Sequence, residues 1–225
     1  MFEAVILAGG EGTRLKSVTG NLPKPMVSIG GKPFLYKLMQ RLEEQGCSKI
    51  ILSLCYQAEY VIQRVNIDKP VSIKVEFVVE KKPLGTGGAI KLAAKEISSD
   101  KFLVLNGDTF LDVDYCSVLE CSNATDLLIC GVDVKEASRY GTLSIDSDFK
   151  VLAMNEKGVA GPGVINSGAY VISTSDIISF EKDSFSFENE YVQAFNGNFK
   201  AYISNGYFID IGIPDDYHKA CQDIK

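Results

Sequence analysis

Histidine occurs once in the 225 residues, at His218. A zinc centre of two or three histidines is thereby excluded, and a Ser/His/Asp mechanism would hang on one residue near the C-terminus. Cys47, Cys55, Cys116, Cys121, Cys130 and Cys221 are scattered, with no Cys-x-x-Cys pair, so they are expected to be reduced and mostly buried as small hydrophobes. No apolar run approaches the ~18 residues of a membrane span. The N-terminus has no basic region leading into a long apolar stretch and a cleavage site, so a cytoplasmic chain with no membrane partner is expected. Positive charge is scarce: 23 Lys and Arg against 29 Asp and Glu leave a net charge of -6. That balance argues against a nucleic acid polymer as partner, because polyanion recognition needs a basic surface that releases counterions. No Pro/Gly/Ser-rich linker, low-complexity tract or internal repeat divides the chain. With 46% hydrophobic residues, one domain over 1–225 can bury a substantial core.

Against that background the N-terminal segment stands out. A strand-like run over residues 2–7, ending at Leu7, leads into Ala8-Gly9-Gly10-Glu11-Gly12-Thr13-Arg14-Leu15, and Pro23-Lys24-Pro25-Met26 follows. Glycines lacking a Cβ let backbone N–H groups turn toward a closely approaching anion. Arg14 adds a guanidinium fork for two phosphate oxygens, and Lys24 adds an ammonium point charge. The segment is no P-loop, since no Gly-Lys-Ser/Thr follows the spacer, and no dinucleotide fingerprint, since Leu15 stands where a third glycine is required.

Apolar, β-rich runs recur at 2–7, 49–54, 72–79 and 101–105, with helix-like segments at 33–45, 56–66 and 89–97 between them, the last opening after Gly85-Thr86-Gly87-Gly88. This alternation predicts an α/β fold with a mostly parallel sheet covered on both faces. Over 33–45, Phe34, Leu35, Leu38, Met39 and Leu42 share one helical face. Ligands of open α/β sheets collect at the carboxyl ends of strands, where the glycine loop, Glu80 and Asp108 all fall. Beyond residue 126 shorter strands are expected at 126–134, 141–145, 151–155, 164–172 and 200–211, with helices near 185–195 and 214–223. Residues 1–115 and 116–225 thus differ in pattern.

The motifs Gly9 to Arg14, Pro23 to Met26, Glu80 with Pro83-Leu84-Gly85-Thr86-Gly87-Gly88, Asn106-Gly107-Asp108, Glu156-Lys157, Ile165-Asn166-Ser167-Gly168 and Phe208-Ile209-Asp210-Ile211-Gly212 resemble those of the sugar-1-phosphate nucleotidyltransferase family over nearly the whole chain. Within it the chain is most similar to the D-glycero-D-manno-heptose 1-phosphate guanylyltransferases, at Lys16-Ser17-Val18, Lys32-Pro33-Phe34-Leu35, Gly107-Asp108-Thr109-Phe110 and Tyr207-Phe208-Ile209-Asp210. The resemblance implies a single-domain, Rossmann-like, GT-A-like nucleotidyltransferase fold with a mixed central sheet flanked by helices. It also implies transfer of GMP from GTP to a heptose 1-phosphate for capsule or lipopolysaccharide precursors. Many members carry a C-terminal β-helix that this chain is too short to contain.

By this resemblance residues 1–115 form a nucleotide-binding part and 116–225 a sugar-binding part, and Leu7, Ala8, Gly9, Gly10, Glu11, Gly12, Thr13, Arg14, Lys24, Glu80, Pro83, Gly85, Thr86 and Asn106 bind the nucleotide. Gly141, Glu156, Lys157 and Asn166 bind the sugar phosphate; Asp108 and Asp210 hold Mg²⁺; Arg14, Lys24 and Asp108 are catalytic. The chemistry agrees, because both reactants are anions and Mg²⁺ with one or two carboxylates is suited to neutralise them. Glu80 offers two acceptors to the adjacent N1–H and N2–H₂ donors of guanine, whereas adenine presents a donor beside an acceptor. UTP stays open, as some uridylyltransferases of the family tolerate a glutamate nearby. Glu156 and Lys157, adjacent on a strand, would point to opposite faces unless the edge bends. Asp112-Val113-Asp114 mimics an Asp-x-Asp metal motif but reads as a solvated turn or helix start.

Mannose 1-phosphate guanylyltransferase and N-acetylmuramate 1-phosphate uridylyltransferase stay open as substrates, and a homo-oligomer as assembly. A GT-A glycosyltransferase would leave Arg14 and Lys24 without a leaving pyrophosphate to neutralise. A noncatalytic sensor on this fold would have lost one of Arg14, Lys24, Asp108 or Asp210, and all four are present. Arg14→Ala or Lys24→Ala is expected to collapse turnover with little loss of folding; near-normal turnover in either variant rejects its role.

Overall fold

The structure is a computed structural model that describes residues 1–12, 15, 20 and 22–224. In chain order the elements are β1 (Phe2–Leu7), a 3₁₀ turn (Lys24–Met26), β2 (Ser28–Ile29), β3 (Lys32–Pro33), α1 (Phe34–Glu44), β4 (Cys47–Leu54), α2 (Ala58–Asp68), β5 (Lys74–Val79) and α3 (Gly85–Ala94). Then come β6 (Lys101–Asn106), β7 (Thr109–Leu111), α4 (Tyr115–Ser122), β8 (Leu127–Val134), β9 (Thr142–Ile145), β10 (Val151–Asn155), β11 (Gly163–Ser173) and α5 (Thr174–Ser179). A π-helical turn (Phe187–Val192), β12 (Phe199–Ser204), β13 (Phe208–Asp210) and α6 (Pro214–Asp223) complete the order.

Central strands β5, β4, β1 and β6 lie side by side and parallel. The two-residue period of a strand sends Val5, Ile51 and Val104 into a core shared with Ile90, Phe187 and Tyr191 on one face. Ile6, Leu52 and Leu105 go to the opposite core with Leu38, Met39 and Val61. Strands buried on both faces are therefore apolar throughout, as the sequence pattern predicts. The expected apolar face of α1, Phe34, Leu35, Leu38, Met39 and Leu42, is fully buried.

β11 joins the parallel half to the rest, running antiparallel to β6 and β8. Its register shifts between Asn166 and Tyr170, at a bulge where Gly168 takes a φ of +77°. N-terminal to the bulge the strand pairs with β9, and C-terminal to it with β6. A bulge of this kind bends the strand and re-aims its side chains.

Three expectations change. The strand expected over 200–211 divides, because β12 stays on β8 while β13 leaves to pair with β7. α3 opens at Gly85, not after Gly88: the Gly87 and Gly88 N–H groups donate to the Phe185 carbonyl at 3.0 and 3.3 Å, and a Cβ on Gly87 would stand 2.1 Å from the Phe185 ring. These two motif glycines are thus required for packing. Finally, Cys47 and Cys130 are buried and Cys55 is half-buried, but Cys116, Cys121 and Cys221 are exposed. On α4 the buried face is taken by Tyr115, Val118 and Ser122, leaving Cys116 and Cys121 outside. Asp114 caps α4 by accepting from the Cys116 N–H at 3.0 Å and Asp112 pairs with Arg41, so the Asp-x-Asp mimic is a helix start.

Among the described residues no helix is long and apolar enough to cross a membrane. The strand tips are laced together: the Ala8 N–H donates to Ser53 O at 2.8 Å, Glu80 N–H to Leu54 O at 2.8 Å and Gly107 N–H to Leu7 O at 2.9 Å. A Cβ on Gly107 would lie 2.5 Å from the Leu7 carbonyl oxygen, and two backbones cannot separate there without breaking the lacing. Gly107→Ala is expected to cost about 1–3 kcal/mol of stability, read from urea unfolding; an unchanged midpoint and slope would refute the close-approach argument.

Candidate active site

The carboxyl ends of β1, β4, β5 and β6 surround a cavity of about 520 Å³. Of the nucleotide-binding residues expected from sequence, Leu7, Gly9, Gly10, Glu11, Lys24, Glu80, Pro83, Gly85, Thr86 and Asn106 line it, as does Asp108. Ala8 does not; it is buried beneath the loop. Gly12 lies over Lys24 with a φ of +63°, and a Cβ there would come 2.8 Å from the Lys24 Cβ. Thr13 and Arg14, and Lys16 to Val18, fall outside the described residues. Pro25, Ser53, Cys55, Tyr56, Ala89 and Gly107 also line the cavity and were missed. The signal for Cys55 and Tyr56 was present, since the predicted strand over 49–54 ends beside them.

At one end of the cavity an ammonium stands between two carboxylates. Lys24 follows Pro23 into the 3₁₀ turn and is only 8% exposed. Its Nζ donates to Asp108 Oδ2 and lies 3.8 Å from Asp210 Oδ1. Asp108 follows β6 after Gly107, whereas Asp210 comes from far along the chain and is brought in by the β7–β13 ladder, opposite Thr109. The Ile211 N–H donates to the Asp108 carbonyl at 2.9 Å, and the Gly212 N–H to Asp210 Oδ1 at 2.7 Å. Burial and then the charge of Asp108 push the Asp210 carboxyl above its ordinary range, against the opposing pull of Lys24, the Gly212 N–H and Lys157.

Two carboxylates in mutual repulsion with one ammonium between them form an oxygen donor set that fits a hard divalent cation such as Mg²⁺. Among the described residues no group of three or more His, Cys, Asp or Glu side chains gathers as a metal site. An ion held at Asp108 and Asp210 would complete its shell with water and substrate oxygens.

Glu80 stands just past β5 at another wall. Its Oε2 accepts from the Leu84 N–H at 2.8 Å. Burial raises its carboxyl above the usual range, partly offset by that hydrogen bond. One oxygen is thus partly engaged within the protein, while the carboxylate retains acceptor capacity toward the cavity.

The residues expected to bind the sugar phosphate do not line this cavity. Glu156 and Lys157 fall in an exposed turn after β10 and not on the strand, so strict alternation does not apply to them. Glu156 Oε1 accepts from Asn189 Nδ2 at 3.4 Å, and the field of Lys157 reaches Asp210. The Asn166 N–H donates to the Gly141 carbonyl at 2.9 Å, joining these two. The Asn166 amide also works inside the β11 bulge, where Nδ2 donates to Tyr170 Oη at 2.7 Å and Oδ1 accepts from the Gly168 N–H at 2.8 Å.

The model of the nucleotidyl transferase family matches residues 3–225. The chain is 41% identical to the D-glycero-alpha-D-manno-heptose 1-phosphate guanylyltransferase of Aneurinibacillus thermoaerophilus, covering 99% of this chain and 98% of that protein. It is 39% identical to the protein of the same name from Campylobacter jejuni subsp. jejuni, covering 96% and 97%. The crystal structure of HddC from Yersinia pseudotuberculosis complexed with GMP-PN superposes with a TM-score of 0.94 at 55% identity, over 100% of both chains.

The burial of Lys24 revises one expectation. Removing its charge strands two carboxylates against each other, so Lys24→Ala should lose about 1–3 kcal/mol of stability as well as activity, less than for a fully buried pair because both aspartates are partly solvated. The Asp210 carboxyl should rise further in the variant. Its protonated form is then favoured in the folded state, so the deficit should be greatest near neutral pH and shrink as acid protonates Asp210. Unfolding of both proteins at several pH values checks this; a deficit that grows on acidification would contradict it.

Proposed function

Since this chain belongs to the nucleotidyl transferase family, we propose that it transfers GMP from GTP to D-glycero-α-D-manno-heptose 1-phosphate, yielding GDP-heptose and pyrophosphate. The observation that carries this reading is one cavity with an ammonium between two aspartates at one end and a half-buried carboxylate, Glu80, on another wall. Its match to guanylyltransferases over nearly their whole length supports the same reading.

In this proposal a phosphate oxygen of the sugar attacks the α-phosphorus in line, the bond to the bridging oxygen breaks, and its electron pair leaves with pyrophosphate. No covalent enzyme intermediate is needed; alignment and neutralisation of charge supply the rate. Lys24 lies between the reacting phosphates, and Arg14 holds the triphosphate. Mg²⁺ bound by Asp108 and Asp210 would screen the phosphate oxygens. Gly9 and Gly10 allow close approach of the triphosphate, and Glu80 accepts from N1–H and N2–H₂ of guanine. Gly141, Glu156, Lys157 and Asn166 serve the sugar phosphate. The product would feed capsule or lipopolysaccharide synthesis in the cytoplasm.

Pyrophosphate release from four nucleoside triphosphates, each with several sugar 1-phosphates and Mg²⁺, tests the proposal. GTP with the heptose should lead, and a lead for UTP with an amino sugar would reject the substrate assignment. Glu80→Gln should lower kcat/KM for GTP about 10–100-fold, the equivalent of one charge-assisted hydrogen bond. Because the Glu80 carboxyl is raised, the wild-type KM for GTP should increase on acidification before an ordinary glutamate, near 4.3, would protonate. The Glu80→Gln variant should lack that rise.

A further inference from the structure

Thr86 and Asn166 belong to opposite halves of the cleft, the first on the cavity wall and the second in the β11 bulge. One carboxylate that no sequence motif singled out connects them. Glu188 Oε2 accepts from Thr86 Oγ1 at 3.2 Å and Oε1 accepts from Tyr170 Oη at 3.0 Å. Tyr170 Oη in turn accepts from Asn166 Nδ2 at 2.7 Å, and Thr86 Oγ1 accepts from the Phe187 N–H at 2.9 Å.

The chain has a defined polarity. Each hydroxyl already receives an N–H, so each directs its own proton at Glu188, and the buried Tyr170 hydroxyl needs an acceptor there. A carboxylate presents two acceptor oxygens, whereas an amide presents one and turns a donor toward the other hydroxyl. Tyr170 is 1% exposed, so water cannot replace a lost acceptor, and an unsatisfied buried hydroxyl is costly.

The segment bearing Glu188 is held firmly. The Ser186 hydroxyl accepts from the Asn189 N–H at 3.2 Å, and the Phe187 ring packs 4.8 Å from Tyr170 and 5.3 Å from Tyr191. Next to Glu188, Asn189 reaches Glu156 on the sugar side. The π-helical geometry of this turn is of the kind that recurs at functional sites.

We infer that Glu188 is a positioning residue for nucleotidyl transfer, holding the nucleotide wall at Thr86 in register with the sugar-facing bulge at Asn166 so that the two phosphates meet in line. This rests on the proposed transferase reading. Misalignment of reactants lowers the rate of the bound complex more than the affinity for either alone. A merely structural role would instead lower thermal stability and affect all parameters together.

The test uses the full chain with Glu188→Gln, Tyr170→Phe and the double variant. Pyrophosphate release, calorimetric binding of a non-hydrolysable GTP analogue with Mg²⁺, and thermal unfolding are measured on each. Glu188→Gln should lower kcat ~10-fold or more, while analogue affinity stays within about threefold of wild type and the unfolding midpoint nearly holds. Tyr170→Phe should lose less, and the double variant should lose no more than Glu188→Gln, since both act through one network. A wild-type kcat in Glu188→Gln overturns the inference, as does a loss confined to analogue binding or one that follows the unfolding midpoint. If Glu188→Gln does not fold, Thr86→Val and Tyr170→Phe each sever one arm; each must lower kcat, and normal kcat in either overturns the inference. Wild-type protein that releases no pyrophosphate would sink the transferase reading and this inference with it, whereas wild-type release matched by Glu188→Gln sinks the inference alone.

Discussion

Everything at the centre of this molecule turns on the Lys24 ammonium held between the carboxylates of Asp108 and Asp210. An ammonium that is 8% exposed cannot rely on water for solvation, so the protein must supply counter-charge around it. Two aspartates supply more negative charge than one lysine neutralises, and burial together with the charge of Asp108 raises the Asp210 carboxyl. The surplus negative charge suits the hard divalent cation proposed for this site.

The architecture serves that arrangement through backbone contact more than through side-chain packing. Parallel strands bring their carboxyl ends to one edge, where hydrogen bonds from Ala8, Glu80 and Gly107 tie each tip to its neighbour. The β7–β13 ladder then carries Asp210 across about a hundred residues of chain to stand beside Asp108. Without β13 leaving the main sheet, the second carboxylate would have no route to the first.

The two halves of the cleft differ in construction. The proposed nucleotide side is a walled cavity formed at strand ends, whereas Glu156 and Lys157, proposed for the sugar side, lie on an exposed turn. What joins the halves is polar: the bulge of β11, the Asn166 and Tyr170 side chains and the π-helical turn that presents Glu188. Satisfied buried polar networks of this kind rigidify their surroundings, because every alternative geometry leaves a group unpaired.

Local physics was readable in the chain itself. Apolar strands, the amphipathic stripe of α1, glycine at the tip of β1, and Glu80 and Asp108 after apolar runs follow from periodicity and from the tendency of ligands to gather at strand ends. Gly87 and Gly88 read in sequence as the motif before a helix, because nothing near them announces the Phe185 ring and carbonyl on which they pack. The exposed cysteines were misjudged because composition gives a residue's preference, not the face of the helix on which it falls. Tertiary structure alone decided that Lys24 would meet Asp210, that the strand over 200–211 would divide, and that Glu188 would accept hydrogen bonds from residues 102 and 18 positions away. Those outcomes depend on contacts between distant segments, and the pairing of such segments is set by how the whole sheet closes rather than by any residue's near neighbours.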